Sequence, residues 1–78
     1  MRFHSRYFAK RINNVLVYKY VVFDTYEERI ISVLNGTFNT DTLENTTVIN
    51  NIYENNIYIY DYFNTLESNG YIYIPLKK

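Results

Sequence analysis

The sequence predicts an α+β domain: a mainly antiparallel sheet of four or five strands with one helix packed across one face. Three stretches lead there. Val15 to Phe23 is a nine-residue run dominated by β-branched and aromatic residues, the composition that fits a pleated, half-buried surface. Asn56 to Phe63 and Tyr71 to Ile74 alternate an aliphatic with an aromatic residue, and period two sends neighbours to opposite faces of a strand. Between them, Asp24 to Gly36 carries the start, stripe and stop of a short helix.

Length and composition bound the rest. A chain of 78 residues is one domain, near the lower limit at which a single core holds a fold alone. There is no cysteine, so disulfides and thiolate metal sites are excluded. His4 is the single histidine and does not make a zinc site by itself. A partner subunit or a second copy of the chain is the staple that remains, and a homodimer or a stable complex is expected. No apolar run approaches the roughly 18 residues of a membrane span. Met1 to Arg11 is basic without the apolar stretch of a secretory signal, so the expectation is a cytoplasmic protein with no membrane contact. Half of the residues are Phe, Tyr, Ile, Asn or Lys, the types that AT-rich codons favour, which points to a phage or other mobile element.

Taken in order, residues 2–12 read either as a helix, with Arg2, Arg6 and Lys10 on one stripe, or as a strand turning at Asn13-Asn14. The strand is preferred, because Val15 to Phe23 needs a neighbour and Asn tolerates the positive φ of a tight turn. Thr25 with Glu28 forms a capping box, and Tyr26, Ile30, Val33 and Leu34 follow at helical spacing. Gly36 supplies the stop, so a helix is predicted over Tyr26 to Leu34. Thr37 to Asn56 is rich in Thr and Asn; it reads as a loop through Thr42 and a short strand over Thr46 to Tyr53. Asn69-Gly70 signals a type I′ hairpin, with Tyr71 to Leu76 leaving it as an edge strand marked by Pro75. The expected core is Val17, Val21, Phe23, Ile30, Val33, Leu34, Ile57, Ile59, Ile72 and Ile74.

Asp61 to Ile72, with its Leu66-Glu67-x-x-Gly70-Tyr71-Ile72 ending, resembles the tail of a winged-helix recognition helix running into its wing. That resemblance implies DNA binding and a mostly helical body. The stretch lacks the Lys and Arg that such a helix brings to phosphate.

The chemistry for an enzyme is thin. Nucleophilic catalysis needs Ser, Cys or Thr beside a positioned base. The serines are scattered and the glycines form no phosphate-cradling loop. A non-enzymatic protein without cofactor or metal is expected.

Charge is lopsided within a net of zero. Arg2, Arg6, Lys10 and Arg11 make a basic head, while Ile30 to Leu76 holds no Lys or Arg. If the two alternating stretches share a sheet, Tyr58, Tyr60, Tyr62, Tyr71 and Tyr73 stand on one surface, flanked by Asp61 and Glu54. Tyrosine gives large contact area at low entropic cost and asparagine gives adaptable hydrogen bonds. The expectation is a protein-binding module that docks through this face, an inhibitor of a host protein of the kind mobile elements encode, anti-CRISPR proteins being one such group. The alternative is a small nucleic-acid-binding regulator using Arg2, Arg6, Lys10 and Arg11, or the degenerate winged helix.

Overall fold

A computed structural model describes residues 2–52 and 56–75, with the backbone alone described over 47–52. Five strands and one helix follow in the order β1 (Phe3–Ile12), β2 (Val15–Asp24), β3 (Arg29–Asn39), β4 (Asn45–Ile52), α1 (Ile59–Ser68) and β5 (Ile72–Ile74). The predicted class is correct: a five-stranded antiparallel sheet with one helix on it. Its order is β4-β3-β2-β1-β5. The first four strands form a meander, and α1 then carries the chain from the β4 edge to the β1 edge, where β5 adds antiparallel to Tyr7, Phe8 and Ala9. The β1–β2 turn falls at Asn13-Asn14 as expected, with Asn13 at φ 55°.

The predicted helix over Tyr26 to Leu34 is instead a turn followed by β3. Asp24, not Thr25, organises the turn. Its Oδ1 accepts the backbone N–H groups of Tyr26 and Glu27 at 2.8 and 3.1 Å. These are the bonds an N-cap makes, here closing a hairpin because Glu28 takes φ 57° and reverses the chain. Asp24 is 1% exposed, and its Oδ2 accepts Arg2 Nε at 2.9 Å and Nη2 at 2.8 Å. The Arg2 hydrogen bond holds its carboxyl at a pKa of about 2, with the turn amides adding to the effect against the cost of burial.

The strand predicted over Asn56 to Phe63 is also overturned. Only its first residues are extended: the Ile30 N–H donates to the Ile57 carbonyl at 2.9 Å and the Ile59 N–H to the Glu28 carbonyl at 3.1 Å. From Ile59 the chain is helical, with Ile59, Phe63 and Leu66 at i, i+4, i+7 turned into the sheet. Asn69-Gly70 is the C-terminal cap of α1 and not a hairpin turn. The Tyr71 N–H reaches back to the Leu66 carbonyl and the Gly70 N–H to the Glu67 carbonyl, both at 3.0 Å, and Gly70 sits at φ 90°. This is a Schellman motif. The winged-helix resemblance therefore catches a real helix–glycine–strand ending, but the ten-residue α1 is the one helix among the described residues and it lies on a five-stranded sheet.

The core lies between α1 and the sheet: Phe8, Val21, Phe23, Ile30, Val33, Ile59, Phe63 and Leu66. Phe63 is its hinge, with its ring centroid 5.1 Å from that of Phe8 and 5.5 Å from that of Phe23. Of the expected core, Val21, Phe23, Ile30, Val33 and Ile59 are buried there and Ile57 packs against them. Val17 is only half-buried, and Leu34, Ile72 and Ile74 belong to the opposite face, with Ile72 63% exposed.

Candidate functional site

Alternation fixes what each sheet face carries. Residues opposite Phe8, Val21 and Val33 lie under α1; their neighbours form the other face. The register places these neighbours in rows across the strands. Ile74, Tyr7, Tyr20 and Leu34 make one row; Ile72, Ala9, Tyr18 and Gly36 make the next; Arg11, Leu16 and Phe38 make a third. Val22 extends the patch toward Ser5 and Ser32, which begin a polar rim. An antiparallel sheet with a wetted face alternates apolar and polar residues; this one is apolar and aromatic on both sides. With strands about 4.8 Å apart and rows about 7 Å apart, the patch covers about 400 Å². As a footprint it falls in the range of the largest apolar patch that a monomer carries, about 300–600 Å², and such patches are often functional.

Three tyrosines give the open face its shape. The Tyr7 ring stands 4.6 Å from Tyr20 and 6.2 Å from Tyr18, centroid to centroid. Tyr18 folds across Gly36, so that a Cβ added there would lie 2.6 Å from its Cε2. The Tyr18 hydroxyl donates to Asn45 Oδ1 at 2.9 Å. Gly36, read from sequence as a helix stop, is thus a mid-strand site where an aromatic ring covers backbone. Beside the tyrosines a cleft of about 370 Å³ opens, lined mainly by Tyr7, Ala9, Leu16, Tyr18, Ile72 and Ile74.

The predicted tyrosine surface is dispersed. Tyr58 and Tyr60 stand exposed at the start of α1 with rings 5.5 Å apart, edge to face. Tyr62 turns toward the core. Asp61 sits in the first turn of the helix, where its charge suits the dipole. Tyr71 and Tyr73 belong to the β5 end, and Tyr73 points to the helix side, 5.9 Å from the Phe8 ring. The five do not share one sheet face, because three of them lie on or at the start of a helix. Glu54 lies outside the described residues. The signal for the open face is legible in the sequence as Leu16, Tyr18, Tyr20 and Val22, the second apolar face of a strand that is apolar on both sides and so suits a central strand or a partner contact; the predicted site residues come instead from the stronger alternation downstream, and Tyr7 on β1 is not among them.

The basic head divides as well. Arg2 is bound to Asp24 and lies 3.5 Å from Glu27. Arg11 belongs to the open face, its Nε donating to the Asn13 carbonyl at 3.1 Å. Arg6 and Lys10 share the helix side with Lys19. The Arg6 guanidinium sits 4.7 Å from the Tyr73 centroid and 4.9 Å from that of Phe63. Lys10 and Lys19 approach Tyr71, at 5.8 and 5.5 Å. Lys19 donates to Asn35 Oδ1 at 2.6 Å, and burial holds its ammonium below the usual lysine range.

Among the described residues no group of three or more His, Cys, Asp or Glu comes together as a metal site, and no helix is long and apolar enough to cross a membrane. No family model matches the chain, and no curated protein or solved structure matches it either.

Proposed function

We propose that the protein is a non-enzymatic protein-binding module that docks through the open face of its sheet. The single observation that carries this is the apolar second face. Tyr7, Leu16, Tyr18, Tyr20, Leu34 and Phe38 are each only half-buried, shielded by one another and by no second layer among the described residues. A sheet in a two-layer fold has one apolar face to satisfy; a second one calls for another layer. About 400 Å² is half of one side of a standard interface, so the partner also meets the rim, where Arg11, Ser5 and Ser32 offer polar contacts. The tyrosines provide rigid contact area at the centre, the position that hot-spot residues occupy. The narrower reading, a mobile-element product inhibiting a host factor, is supported by composition alone.

The test compares two single-site variants in affinity capture from host lysate. Leu16→Asp places a charge in the open face without touching the core under α1, and Tyr60→Ala removes the exposed ring at the helix start. Loss of a hot-spot contact costs about 2 kcal/mol or more, roughly thirtyfold in affinity. The captured proteins should disappear with Leu16→Asp and persist with Tyr60→Ala. The opposite pattern moves the site to the Tyr58–Tyr60 pair, and retention by both variants rejects both surfaces.

A further inference from the structure

We infer that the cleft between α1 and β5 binds a nucleoside phosphate, with Arg6, Lys10 and Lys19 meeting the phosphate and Tyr73 and Tyr71 receiving the base. This site is on the other side of the sheet from the docking face and stands independently of it.

The cations come first. None of the three forms an ion pair among the described residues, whereas Arg2 and Arg29 are both engaged by carboxylates. Arg6 makes only ring contacts, so its fork of N–H donors faces the cleft without a protein acceptor. Lys10 is carried on the same strand face two residues beyond Phe8, and Lys19 lies directly across from Phe8 on β2. Glu67 is the carboxylate that lines the cleft with Arg6, and Lys10 and Lys19 stand at its edge against the Tyr71 ring, which leaves an excess of positive charge around low-dielectric aromatic walls. Such a cleft focuses potential and draws anions.

The shape comes second. The cleft has a volume of about 440 Å³, lined chiefly by Arg6, Phe63, Glu67, Tyr71 and Tyr73. That lies within the roughly 300–1,000 Å³ of small-ligand sites. Tyr73 is 46% exposed while Arg6 covers part of its ring, leaving aromatic surface for a base. Stacking on tyrosine is the sequence-tolerant half of nucleotide recognition, and phosphate neutralisation by Lys and Arg is the other. An inorganic anion or a carboxylate uses only the second half. The basic and aromatic residues come from opposite ends of the chain, brought together by the pairing of β5 with β1.

The ligand is either a free nucleotide or a unit of a single strand, and titration with AMP and with a ten-nucleotide oligothymidylate separates the two. Tyrosine fluorescence and amide shifts of Tyr71–Ile74 report binding at low salt. Lys10→Met with Lys19→Met should weaken whichever ligand binds by at least tenfold with an unchanged circular dichroism spectrum. Glu67→Gln should tighten it severalfold, because it removes the opposing charge. Leu16→Asp should leave it unaffected. For the oligonucleotide, one neutralised phosphate gives a slope of log K against log salt of about −0.7. Arg6→Met is a further arm, but Arg6 covers core rings, so the lysine pair and Glu67→Gln decide if it unfolds. The inference is overturned if neither ligand binds at millimolar concentration, if binding survives the double lysine change, or if Glu67→Gln weakens it.

Discussion

Gly36→Ala should reveal how the open face is held. In the interior of a strand, alanine is ordinarily better than glycine by about 0.5–1 kcal/mol, because it has less backbone freedom to lose. At Gly36 the Tyr18 ring occupies the space an alanine Cβ needs, with Cε2 2.6 Å from it and Cζ and Oη closer. The ring must swing away. That movement breaks the hydrogen bond to Asn45 Oδ1, worth about 1 kcal/mol, and shifts Tyr18 against Tyr7. Inserting a carbon into packed surroundings costs about 1–3 kcal/mol in general. Combined with the intrinsic gain of alanine, the net destabilisation is about 1–3 kcal/mol.

The same substitution made in a Tyr18→Ala background meets no ring, and should stabilise by about 0.5–1 kcal/mol. The expected result is therefore a change of sign between backgrounds, with a coupling of about 2–4 kcal/mol. Urea unfolding of the four proteins, at one fixed protein concentration so that any self-association contributes equally, gives the cycle. If Gly36→Ala has the same sign in both backgrounds, Tyr18 does not rest on Gly36 in solution. The centre of the open face would then be built differently, without the ring over backbone.

Two further outcomes follow from single residues. Asp24 has a folded pKa of about 2 against an ordinary 3.8; a depressed carboxylate stabilises fully above its unfolded value, so stability should fall as pH drops from about 4 toward 2. Asp24→Asn should flatten that part of the acid-unfolding curve, and an unchanged curve would show that the Arg2–Asp24 contact does not hold the end of the sheet. Gly70→Ala should lower stability by about 1 kcal/mol or more, since φ 90° is strained for any side chain. Asn69→Ala should cost much less, because Asn69 has φ −93°; a type I′ turn would instead make both positions sensitive, and thermal melts of the two variants distinguish the cases.

What the sequence made legible was the material of the sheet: the Val15 to Phe23 strand, its Asn13-Asn14 turn, the polar strand beyond Thr42 and the edge strand before Pro75. Two elements exchanged identity, each for a local reason. Ile30 and Val33 are three apart, the spacing of a helix face, yet both lie under α1 from a strand. The ladder shifts between Val22 and Phe23, pairing Val22 with Ser32 and Phe23 with Ile30. Ile31 is left over as a bulge, and a bulge lets residues three apart share a face. Ahead of it, the carboxylate-to-amide bonds at Asp24 have the same chemistry whether the chain goes on into a helix or reverses at Glu28. No window of residues short of the β2–β3 pairing separates the two.

The second exchange is decided by topology. Ile57 to Phe63 has strand residues at strand spacing, but Ile59, Phe63 and Leu66 also fit a helix. Propensity favours the first pattern and yields to the tertiary context. After β4 the chain stands at one edge of the sheet, and β5 has its hydrogen-bonding partner in β1, three strands away. Four strand intervals of about 4.8 Å make a crossing of about 19 Å. A ten-residue helix supplies about 15 Å of it with every interior amide bonded within the segment. An extended chain lying over the same face would carry its backbone N–H and C=O groups across Phe8, Val21 and Val33 with no partners, each unmet bond costing about 1–3 kcal/mol. The short extended piece, Ile57 to Ile59, occurs where β3 still offers bonds through Glu28 and Ile30; beyond that point the segment winds. The candidate sites inherit this outcome. Because α1 covers the Phe8 face, the Tyr7–Tyr18–Tyr20 face is left open, and because β5 is delivered beside β1, Tyr71 and Tyr73 meet Arg6 and Lys10 from more than sixty residues away.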